Sequence, residues 1–347
     1  MKSGAALWGV LAVLALPFAV AAQDSSPLTD GEIRAILSHG PWPVPLASDP
    51  GNRVSGKREA VEFGERLFFD NRLSGNGKFS CGSCHVPERN WTDNRTRGAA
   101  IAEVDRNTPT LMNIRLGRLF GWDGATDNLP AQSVRPLLNA RELGSSPRQV
   151  AALLRSDEQL SCRYRKAFGA APSATDDDAV LADVGKALAA FQETFETPPT
   201  PFDRFRNALA QGEPIRPWVY SETALRGARI FVGKGGCSGC HSGPNFSNSE
   251  LRDNGFSAYA AKDRPDPGRD GAFKVPTLRH LFLTAPYGHH GEVGTLADAV
   301  RHYSERGSGE VKPLKLTAGE QTELVVFLES LSTFNNPWRP DELNLCR

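Results

Sequence analysis

The sequence predicts a predominantly helical protein built from two related modules. Two observations support this prediction. A C-x-x-C-H motif occurs twice, at residues 81–85 and 237–241, and similar short segments flank both copies. Apolar residues recur at helical spacing before each motif and in a long stretch between the two. Self-similarity of this kind indicates that one structural unit is repeated along the chain.

The composition fits two globular modules and excludes other classes of protein. The chain has 347 residues, of which 39% are hydrophobic, so it can bury two substantial cores. It carries 40 basic and 40 acidic side chains. This balance argues against a nucleic-acid-binding protein, because such a protein needs a basic excess to neutralise phosphates.

Residues 1–22 have the pattern of a secretory signal peptide. Lys2 precedes an apolar run over residues 5–16, and residues 19–21 (AVA) provide the small side chains that signal peptidase requires. The alternative is an uncleaved membrane anchor, which would need about 20 apolar residues, whereas this run is shorter and ends at Pro17. We therefore expect an exported, periplasmic protein with no membrane span after cleavage. Removal of Lys2 changes 40 basic side chains to 39 against 40 acidic ones, a net charge of about −1.

The two C-x-x-C-H motifs indicate two covalently attached haem groups. In such a motif both thiols add to the vinyl groups of one haem, and the histidine ligates its iron. A zinc site would need four ligands at one metal, whereas each motif offers three and more than 150 residues separate the motifs. A thioredoxin-like dithiol would not require the histidine. The predicted haem-binding residues are Cys81, Cys84 and His85 in the first module and Cys237, Cys240 and His241 in the second.

Two further cysteines, Cys162 and Cys346, lie outside the motifs. In an oxidising compartment two spare thiols usually pair, so the sequence favours a disulfide that joins the C-terminus to the middle of the chain. The alternative is two separate buried thiols, since the sequence does not fix the distance between the Cα atoms of the two cysteines.

The internal repeat extends beyond the motifs themselves. Residues 64–68 (GERLF) match residues 227–231 (GARIF), and residues 109–111 and 276–278 are both PTL. Counting onward from the two PTL segments without gaps keeps glycine and leucine residues aligned. The two halves of the chain are therefore related haem modules.

The boundary between the modules is marked by proline residues. The boundary should lie between a helical pattern from Ala179 to Phe195, which a run of prolines ends, and a helix that opens at Ser221. We therefore expect an N-terminal haem domain over residues 23–200 and a C-terminal haem domain over residues 201–347.

The same repeat count predicts two unlike haem sites. Pro136 and Tyr303 are equivalent positions, so only the second module has a side chain there that can bind iron. The first module contains no histidine after its motif, and only His39, upstream, remains for the sixth position of the iron. Met112, the one methionine besides the initiator, is equivalent to Arg279. The sequence therefore predicts an open haem site in the first module, where peroxide or dioxygen reacts.

These motifs make the chain similar to a known family. They are the two C-x-x-C-H modules, RNTPTLMN at 106–113, FGWDG at 120–124 and FKVPTLRHLFLTAPYGHHG at 273–291. Over nearly its whole mature length the chain resembles the bacterial di-haem cytochrome c peroxidases and their MauG-like relatives. The resemblance implies a mostly α-helical fold with little β-structure, in which two cytochrome c-like haem domains meet at a calcium ion. It also implies that Trp122 lies between the haems, the alternative being an ordinary core indole.

The resemblance also assigns residues around the open haem. Gln132, Pro136 and Glu142 fall on the distal-pocket positions of the family. Glu142 would move a proton between the two oxygens of bound peroxide, since a carboxylate can both accept and return a proton. Without the resemblance, Glu142 would be interpreted as a surface carboxylate before a turn. The implied calcium ligands are oxygens of Asn107, Thr284 and Pro286, with the alternative that these residues only order loops.

Tyr303 departs from the pattern of the peroxidases. Ordinary members of the family have methionine at this position, which gives a high-potential haem that receives electrons from a small cytochrome or cupredoxin. MauG-like members have tyrosine, and a phenolate ligand favours the ferric and higher oxidation states of iron. His302 is the alternative ligand. A half-buried tyrosine on the helix that begins near Leu296 is the interpretation without ligation.

Three functions follow from this sequence. The first is implied by a resemblance to the MauG-like enzyme of methanobactin-type copper operons: hydrogen peroxide generates a high-valent di-haem state that converts tryptophan to kynurenine in a periplasmic copper-binding partner. The second is a di-haem cytochrome c peroxidase that reduces hydrogen peroxide to water with electrons from a small cytochrome c or cupredoxin. The third, a plain electron-carrying cytochrome, is the least favoured because of the open site with Gln132 and Glu142.

Overall fold

The computed structural model of the protein describes residues 27–45, 47–259, 266, 268–307, 310–333 and 346. The predicted signal peptide at 1–22 lies outside these residues. The α-helices of this part of the chain are α1 (Asp30–Leu37), α2 (Arg58–Phe68), α3 (Cys81–Cys84), α4 (Leu129–Leu138), α5 (Pro147–Ser156), α6 (Glu158–Phe168), α7 (Asp177–Gln192), α8 (Pro201–Ala210), α9 (Glu222–Val232), α10 (Leu296–Glu305) and α11 (Ala318–Glu329).

The remaining regular structure is short. Single 3₁₀ turns lie at Asn71–Leu73, Pro87–Arg89, Ile114–Leu116, Pro172–Ala174, Cys237–Gly239, Phe256–Tyr259 and Leu281–Leu283. Strands β1 (Leu251–Arg252) and β2 (Phe273–Lys274) form one antiparallel pair, with Leu251 opposite Lys274. The prediction of a mostly helical fold with little β-structure is therefore confirmed.

The helix boundaries near the middle of the chain follow local sequence signals. The Thr200 hydroxyl accepts from the backbone N–H of Asp203, and the Asp203 side chain accepts from the backbone N–H of Thr200, so α8 begins with a reciprocal capping box. The hydroxyl of Ser221 accepts from the backbone N–H of Ala224 and caps α9 at the predicted position. Helices α8 and α9 therefore each begin at a capping residue of their own.

Two large hydrophobic clusters and a small one, formed by Phe120, Leu129 and Ala189, make up the core of the described residues. The first contains side chains between residues 54 and 195. The second contains side chains from residues 202 to 331 together with Leu28 and Ile36. Helix α1 therefore packs on the second cluster although it precedes the first in sequence. The domain boundary at residue 200 stays a prediction.

Equivalent glycines hold the same helix contact in each half of the chain. Helix α2 crosses α7 at Gly64, where a Cβ atom would overlap the backbone carbonyl of Ala187. Helix α9 crosses α11 at Gly227, where a Cβ atom would overlap the carbonyl of Glu323. Only glycine allows so close an approach of two backbones. The matching GERLF and GARIF segments therefore make the same close helix–helix contact, one in each half of the chain.

The two PTL segments also adopt one arrangement. The hydroxyl of Thr110 donates to the carbonyl of Asn90 at 2.6 Å, and the hydroxyl of Thr277 donates to the carbonyl of Asn245 at 2.7 Å. Each bond ties the PTL segment to the loop that follows a C-x-x-C-H motif. The two PTL segments therefore make the same contact with the loop that follows each motif.

Cys162 and Cys346 form a disulfide, with their Cα atoms 6.1 Å apart. The bridge joins α6 of the N-terminal half to the C-terminus, as the spare-thiol argument predicted. Within the described residues, no helix combines the length and the apolar character needed to cross a lipid bilayer.

Candidate active site: two cavities that share Trp122

Each C-x-x-C-H motif opens onto a cavity. The N-terminal cavity has a volume of about 1020 Å³, and Cys84 and His85 lie on its wall. The C-terminal cavity has a volume of about 300 Å³, and its wall includes the second motif through Cys237, Cys240 and His241. The four motif cysteines are not joined in disulfides. Two thiols and one imidazole beside each cavity are the donor set that covalent haem attachment requires.

The motif histidines are held in the orientation that an iron ligand needs. Nδ1 of His85 lies 3.0 Å from the carbonyl oxygen of Trp91, and Nδ1 of His241 lies 2.9 Å from that of Phe246. Because a carbonyl only accepts, Nδ1 carries the hydrogen and Nε2 keeps its lone pair. Burial lowers the pKa of His85, and burial lowers that of His241 to about 4. Both rings are therefore neutral and fit axial ligation of a haem iron.

The predicted distal residues come together on the wall of the N-terminal cavity. Helix α4 contributes Gln132 and Pro136, and the turn after it contributes Glu142. Oε1 of Glu142 accepts a hydrogen bond from the Asn139 amide at 2.7 Å. Burial raises the pKa of Glu142. Oε1 of Gln132 accepts from the hydroxyl of Thr126 at 3.0 Å, which orients the Gln132 amide.

The sixth-ligand position of the first haem has no histidine candidate. Among the described residues that line the N-terminal cavity, His85 is the one histidine. His39 instead packs in the C-terminal core, where its ring stacks on Phe246 at 4.5 Å and Nδ1 lies 3.1 Å from the carbonyl of Gly243. The upstream histidine is therefore placed beside the second module, and Pro136 faces the N-terminal cavity as the repeat count implied.

Tyr303 lies on the wall of the C-terminal cavity together with His241. The amide of Asn254 donates to the Tyr303 phenol oxygen at 3.0 Å. Burial raises the pKa of Tyr303 above the ordinary range, whereas the Asn254 hydrogen bond lowers it. A cation in the cavity would reverse the effect of burial, because a bound metal stabilises the anionic form of an adjacent ligand.

Both ring nitrogens of His302, the alternative ligand, already have hydrogen-bond partners. Its Nε2 lies 2.7 Å from the carbonyl of Asn254, and its Nδ1 lies 3.2 Å from the hydroxyl of Tyr259. The His302 ring is 3% exposed and does not border the C-terminal cavity. The geometry therefore favours Tyr303 over His302. Met112 borders this cavity too, from its position in the N-terminal core.

Trp122 borders both cavities. Its Nε1 donates to the carbonyl of Asn107 at 2.8 Å, and its own carbonyl accepts from the backbone N–H of Lys274 at 2.8 Å. The indole is thus fixed between the two predicted haem sites by backbone contacts on either side. That Trp122 lies between two haems stays a prediction.

The three residues expected to bind calcium line one cavity. Asn107, Thr284 and Pro286 all border the C-terminal cavity, although Asn107 belongs to the first half of the chain. The amide of Asn94 donates to the carbonyls of Leu283 and Ala285 at 3.2 and 3.0 Å, and so ties the two halves together at this point. Their oxygens suit a hard divalent cation, and calcium binding here stays a proposal.

Lys274 was not predicted from the sequence as a residue of the site. This residue borders both cavities, and within the described residues its ammonium has no carboxylate partner. Burial lowers the pKa of Lys274 to about 8. The propionate carboxylates of a haem would supply the missing counter-charge, so Lys274 fits the cofactor. A single lysine within FKVPTL has no spacing signal, and only the fold shows that it faces both sites.

Comparison with known proteins identifies the family. A family described as di-haem cytochrome c peroxidase matches residues 58–211. The methylamine utilization protein MauG of Methylorubrum extorquens is 35% identical over 287 residues, which cover 79% of this chain and 78% of that protein. The chain belongs to the MauG and di-haem cytochrome c peroxidase family. It is therefore an enzyme, a peroxide-dependent di-haem oxidoreductase with two haem c groups.

Other relatives span both branches of this family. The cytochrome c551 peroxidase of Nitrosomonas europaea is 32% identical over 290 residues, which cover 79% of this chain and 80% of that protein. A solved MauG-like protein associated with microbial copper homeostasis has a TM-score of 0.68 and 27% identity, and the match covers 86% of this chain and 99% of that one. The diheme peroxidase BthA of Burkholderia thailandensis has a TM-score of 0.63 at 20% identity, with 83% and 87% covered, and shares the fold.

Proposed function

We propose that this di-haem enzyme uses hydrogen peroxide to oxidise a side chain of a periplasmic copper-binding protein, converting tryptophan to kynurenine. The observation that carries the proposal is the phenol of Tyr303 on the wall of the C-terminal cavity beside His241. A tyrosine ligand would disfavour the ferrous state that a cytochrome-fed peroxidase needs at its second haem. It would instead favour storage of oxidising equivalents for use on a partner.

The residues of the N-terminal cavity support reaction with peroxide. When bound, the two haems would supply the redox chemistry, and the N-terminal cavity would hold the peroxide. Glu142 first accepts a proton at its carboxylate and then returns it, and its raised pKa makes it a stronger base than an exposed glutamate. Gln132 and Pro136 shape the same wall without supplying a competing ligand. Trp122 connects the two sites through its indole.

Asn254 has a distinct role in this proposal. Its amide donates to the Tyr303 oxygen, and its backbone carbonyl lies 2.7 Å from Nε2 of His302. The first contact stabilises negative charge on the phenol, and the second occupies the neighbouring imidazole. Asn254 therefore selects the phenol of Tyr303 over His302 as the available ligand.

Two observations support the choice of partner. The solved protein that is 27% identical to this chain is a MauG-like protein associated with microbial copper homeostasis. Residues 1–22 have the pattern of an export signal, which places enzyme and partner in the periplasm. A copper-binding protein exported with the enzyme is accordingly the expected substrate.

The test is mass spectrometry of an exported copper-binding protein from the same organism. Incubation with the di-haem holoenzyme and hydrogen peroxide should shift one tryptic peptide by the mass difference between tryptophan and kynurenine. The shift should be absent without peroxide and strongly reduced with Glu142→Gln. An unmodified partner, together with rapid peroxide-dependent oxidation of a reduced small cytochrome c, would contradict the proposal.

The second candidate function is a cytochrome c peroxidase. It is favoured by one observation, that Met112 also borders the C-terminal cavity and offers a thioether of the kind found in high-potential haem sites. The 32% identity to a cytochrome c551 peroxidase agrees with this alternative. In that case Met112→Leu, and not Tyr303→Phe, should change the absorption spectrum of the second haem.

A further inference from the structure

Two adjacent histidines have ring nitrogens that the haem sites do not explain. His289 and His290 are 2% and 3% exposed. Nε2 of His289 and both ring nitrogens of His290 have no hydrogen-bond partner. Buried polar atoms are nearly always paired, because leaving one unsatisfied costs about 1–3 kcal/mol. Three such atoms on neighbouring rings therefore point to a ligand.

The remaining histidines show how unusual this pair is. Among the seven histidines of the chain, His85 and His241 are in the C-x-x-C-H motifs. Both ring nitrogens of His302 and one of His39 have polar partners. His280 has an unpaired Nε2, but in the part of the chain that the structure describes no second histidine or carboxylate completes a metal-binding group with it. Of all these imidazoles, only those of His289 and His290 form such a group within the described residues.

A carboxylate completes the cluster. The centroids of the His289 and His290 rings are 4.1 Å apart. One ligand atom from each ring and one carboxylate oxygen of Asp266 all lie within 4.8 Å of one another. Small movements of these side chains would bring three donor atoms to the distances of about 2.0–2.2 Å that zinc sites show.

The charge around the cluster suits a cation. Arg106 donates to both carboxylate oxygens of Asp266, at 2.6 and 3.0 Å, and also pairs with Asp123 at 2.9 Å. The Asp266 carboxylate is the negatively charged member of the cluster and would attract a cation. Burial lowers the pKa of His289 to about 3, so its ring is neutral and its lone pair is available. Arg106 would then act as the outer hydrogen-bond donor that orients a ligating carboxylate.

We propose that His289, His290 and Asp266 form a binding site for a divalent transition-metal ion of the Zn²⁺ and Cu²⁺ class. Two imidazole nitrogens and one carboxylate oxygen favour such borderline ions over calcium, which prefers oxygen ligands. The site lies between the two haem cavities, since His289 borders the C-terminal cavity and Asp266 borders the N-terminal one, whereas His290 borders neither. It is distinct from the predicted calcium site, whose ligands are oxygens of Asn107, Thr284 and Pro286.

A bound ion would act next to Trp122. The His289 ring stacks on Phe273 at 3.5 Å and lies edge-on to Trp122 at 6.4 Å, measured between ring centroids. Coordination would fix the His289 ring between these two aromatic side chains. It would also place positive charge near the indole that separates the two haem cavities.

The experiment is zinc binding by the complete di-haem holoenzyme. Zn²⁺ is the probe because it has no redox chemistry of its own. After incubation with zinc and removal of free metal, elemental analysis should give about one zinc ion per two haem irons, and a large excess of Ca²⁺ should leave the zinc in place. Zinc should also raise the midpoint of thermal unfolding, because it binds the folded state.

Matched variants decide whether the cluster is responsible. His290→Gln should abolish stoichiometric zinc binding, whereas His280→Gln, which alters another buried imidazole with an unpaired nitrogen, should keep it. If His290→Gln fails to fold, Asp266→Asn is the second variant and should weaken zinc binding by about tenfold or more. No stoichiometric zinc in the wild type, displacement by calcium, or full retention in a folded His290→Gln or Asp266→Asn variant would overturn the proposal.

Discussion

The indole N–H of Trp122 donates to the backbone carbonyl of Asn107 at 2.8 Å, and the backbone N–H of Asn107 donates to the carbonyl of His289 at 2.9 Å. Through these two bonds Trp122, which borders both cavities, is connected to His289 in the second half of the chain. Asn107 is also an expected calcium ligand. The position of Trp122 is thus coupled to the interface between the two haem modules.

Trp122→Phe should uncouple the two haems. Phenylalanine keeps an aromatic ring at the wall but removes the N–H bonded to Asn107 and is harder to oxidise than tryptophan. Both haems should remain attached, while peroxide changes the absorption of the open haem without a simultaneous change in the second. Stopped-flow spectra recorded at the bands of each haem measure this. Trp218→Phe is the matched control, since Trp218 is 79% exposed and borders neither cavity. Simultaneous spectral changes in Trp122→Phe would rule out the connecting role.

Tyr303→Phe should change the spectrum of one haem only. The substitution removes the phenol oxygen that Asn254 contacts, and leaves the ring volume almost unchanged. Electron paramagnetic resonance of the ferric protein should show an altered signal for the second haem and an unchanged one for the first. Tyr287→Phe is the control, because Tyr287 borders the same cavity and its hydroxyl donates to the Leu281 carbonyl instead. Identical signals in wild type and Tyr303→Phe would show that the phenol is not a ligand.

Glu142→Gln should slow the reaction with peroxide by about 10²-fold or more, the usual contribution of a positioned general acid–base group. Burial raises the pKa of Glu142, so the carboxylate is lost as pH falls through a value above that of an ordinary glutamate. The wild-type rate of peroxide reaction should therefore fall on the acid side of that pKa, and Glu142→Gln should lack this dependence. Stopped-flow rates across pH provide the measurement.

The control for Glu142 is Glu193→Gln. Burial also raises the pKa of Glu193, but this carboxylate contacts Ser55 and does not border the N-terminal cavity. Its replacement should leave the peroxide rate and its pH profile unchanged. Equal slowing by both variants would mean that the effect on Glu142→Gln is structural and not one of proton transfer.

Gly64→Ala and Gly227→Ala should each destabilise the fold by about 1–3 kcal/mol, because the added methyl group overlaps a backbone carbonyl of the facing helix. Gly319→Ala in α11 meets nothing within 4 Å and should be neutral or stabilising by about 0.5 kcal/mol. Denaturant unfolding of the three variants measures these differences. A neutral effect at Gly64 would contradict the close α2–α7 contact.

Much of this site was predictable because its residues are repeated. The two motifs, the PTL segments and the paired glycines occupy equivalent positions in the two halves of the chain. Counting onward from the PTL segments therefore identified Tyr303 as the equivalent of Pro136. Contacts made once were not predictable. Asn254 reaches Tyr303 across 49 residues of sequence, and α1 carries His39 into the second core. Neither contact has an internal copy, and each depends on how the loops fold.

Storage of oxidising equivalents by the two haems is tested most directly by rapid mixing of the fully ferric holoenzyme with one equivalent of hydrogen peroxide, followed by absorption spectroscopy for minutes. We expect the spectra of both haems to change together without prior reduction, and the oxidised form to persist long enough to react with a protein substrate. A ferric enzyme that is inert until one haem is reduced by a small cytochrome would contradict this expectation and would establish a conventional peroxidase.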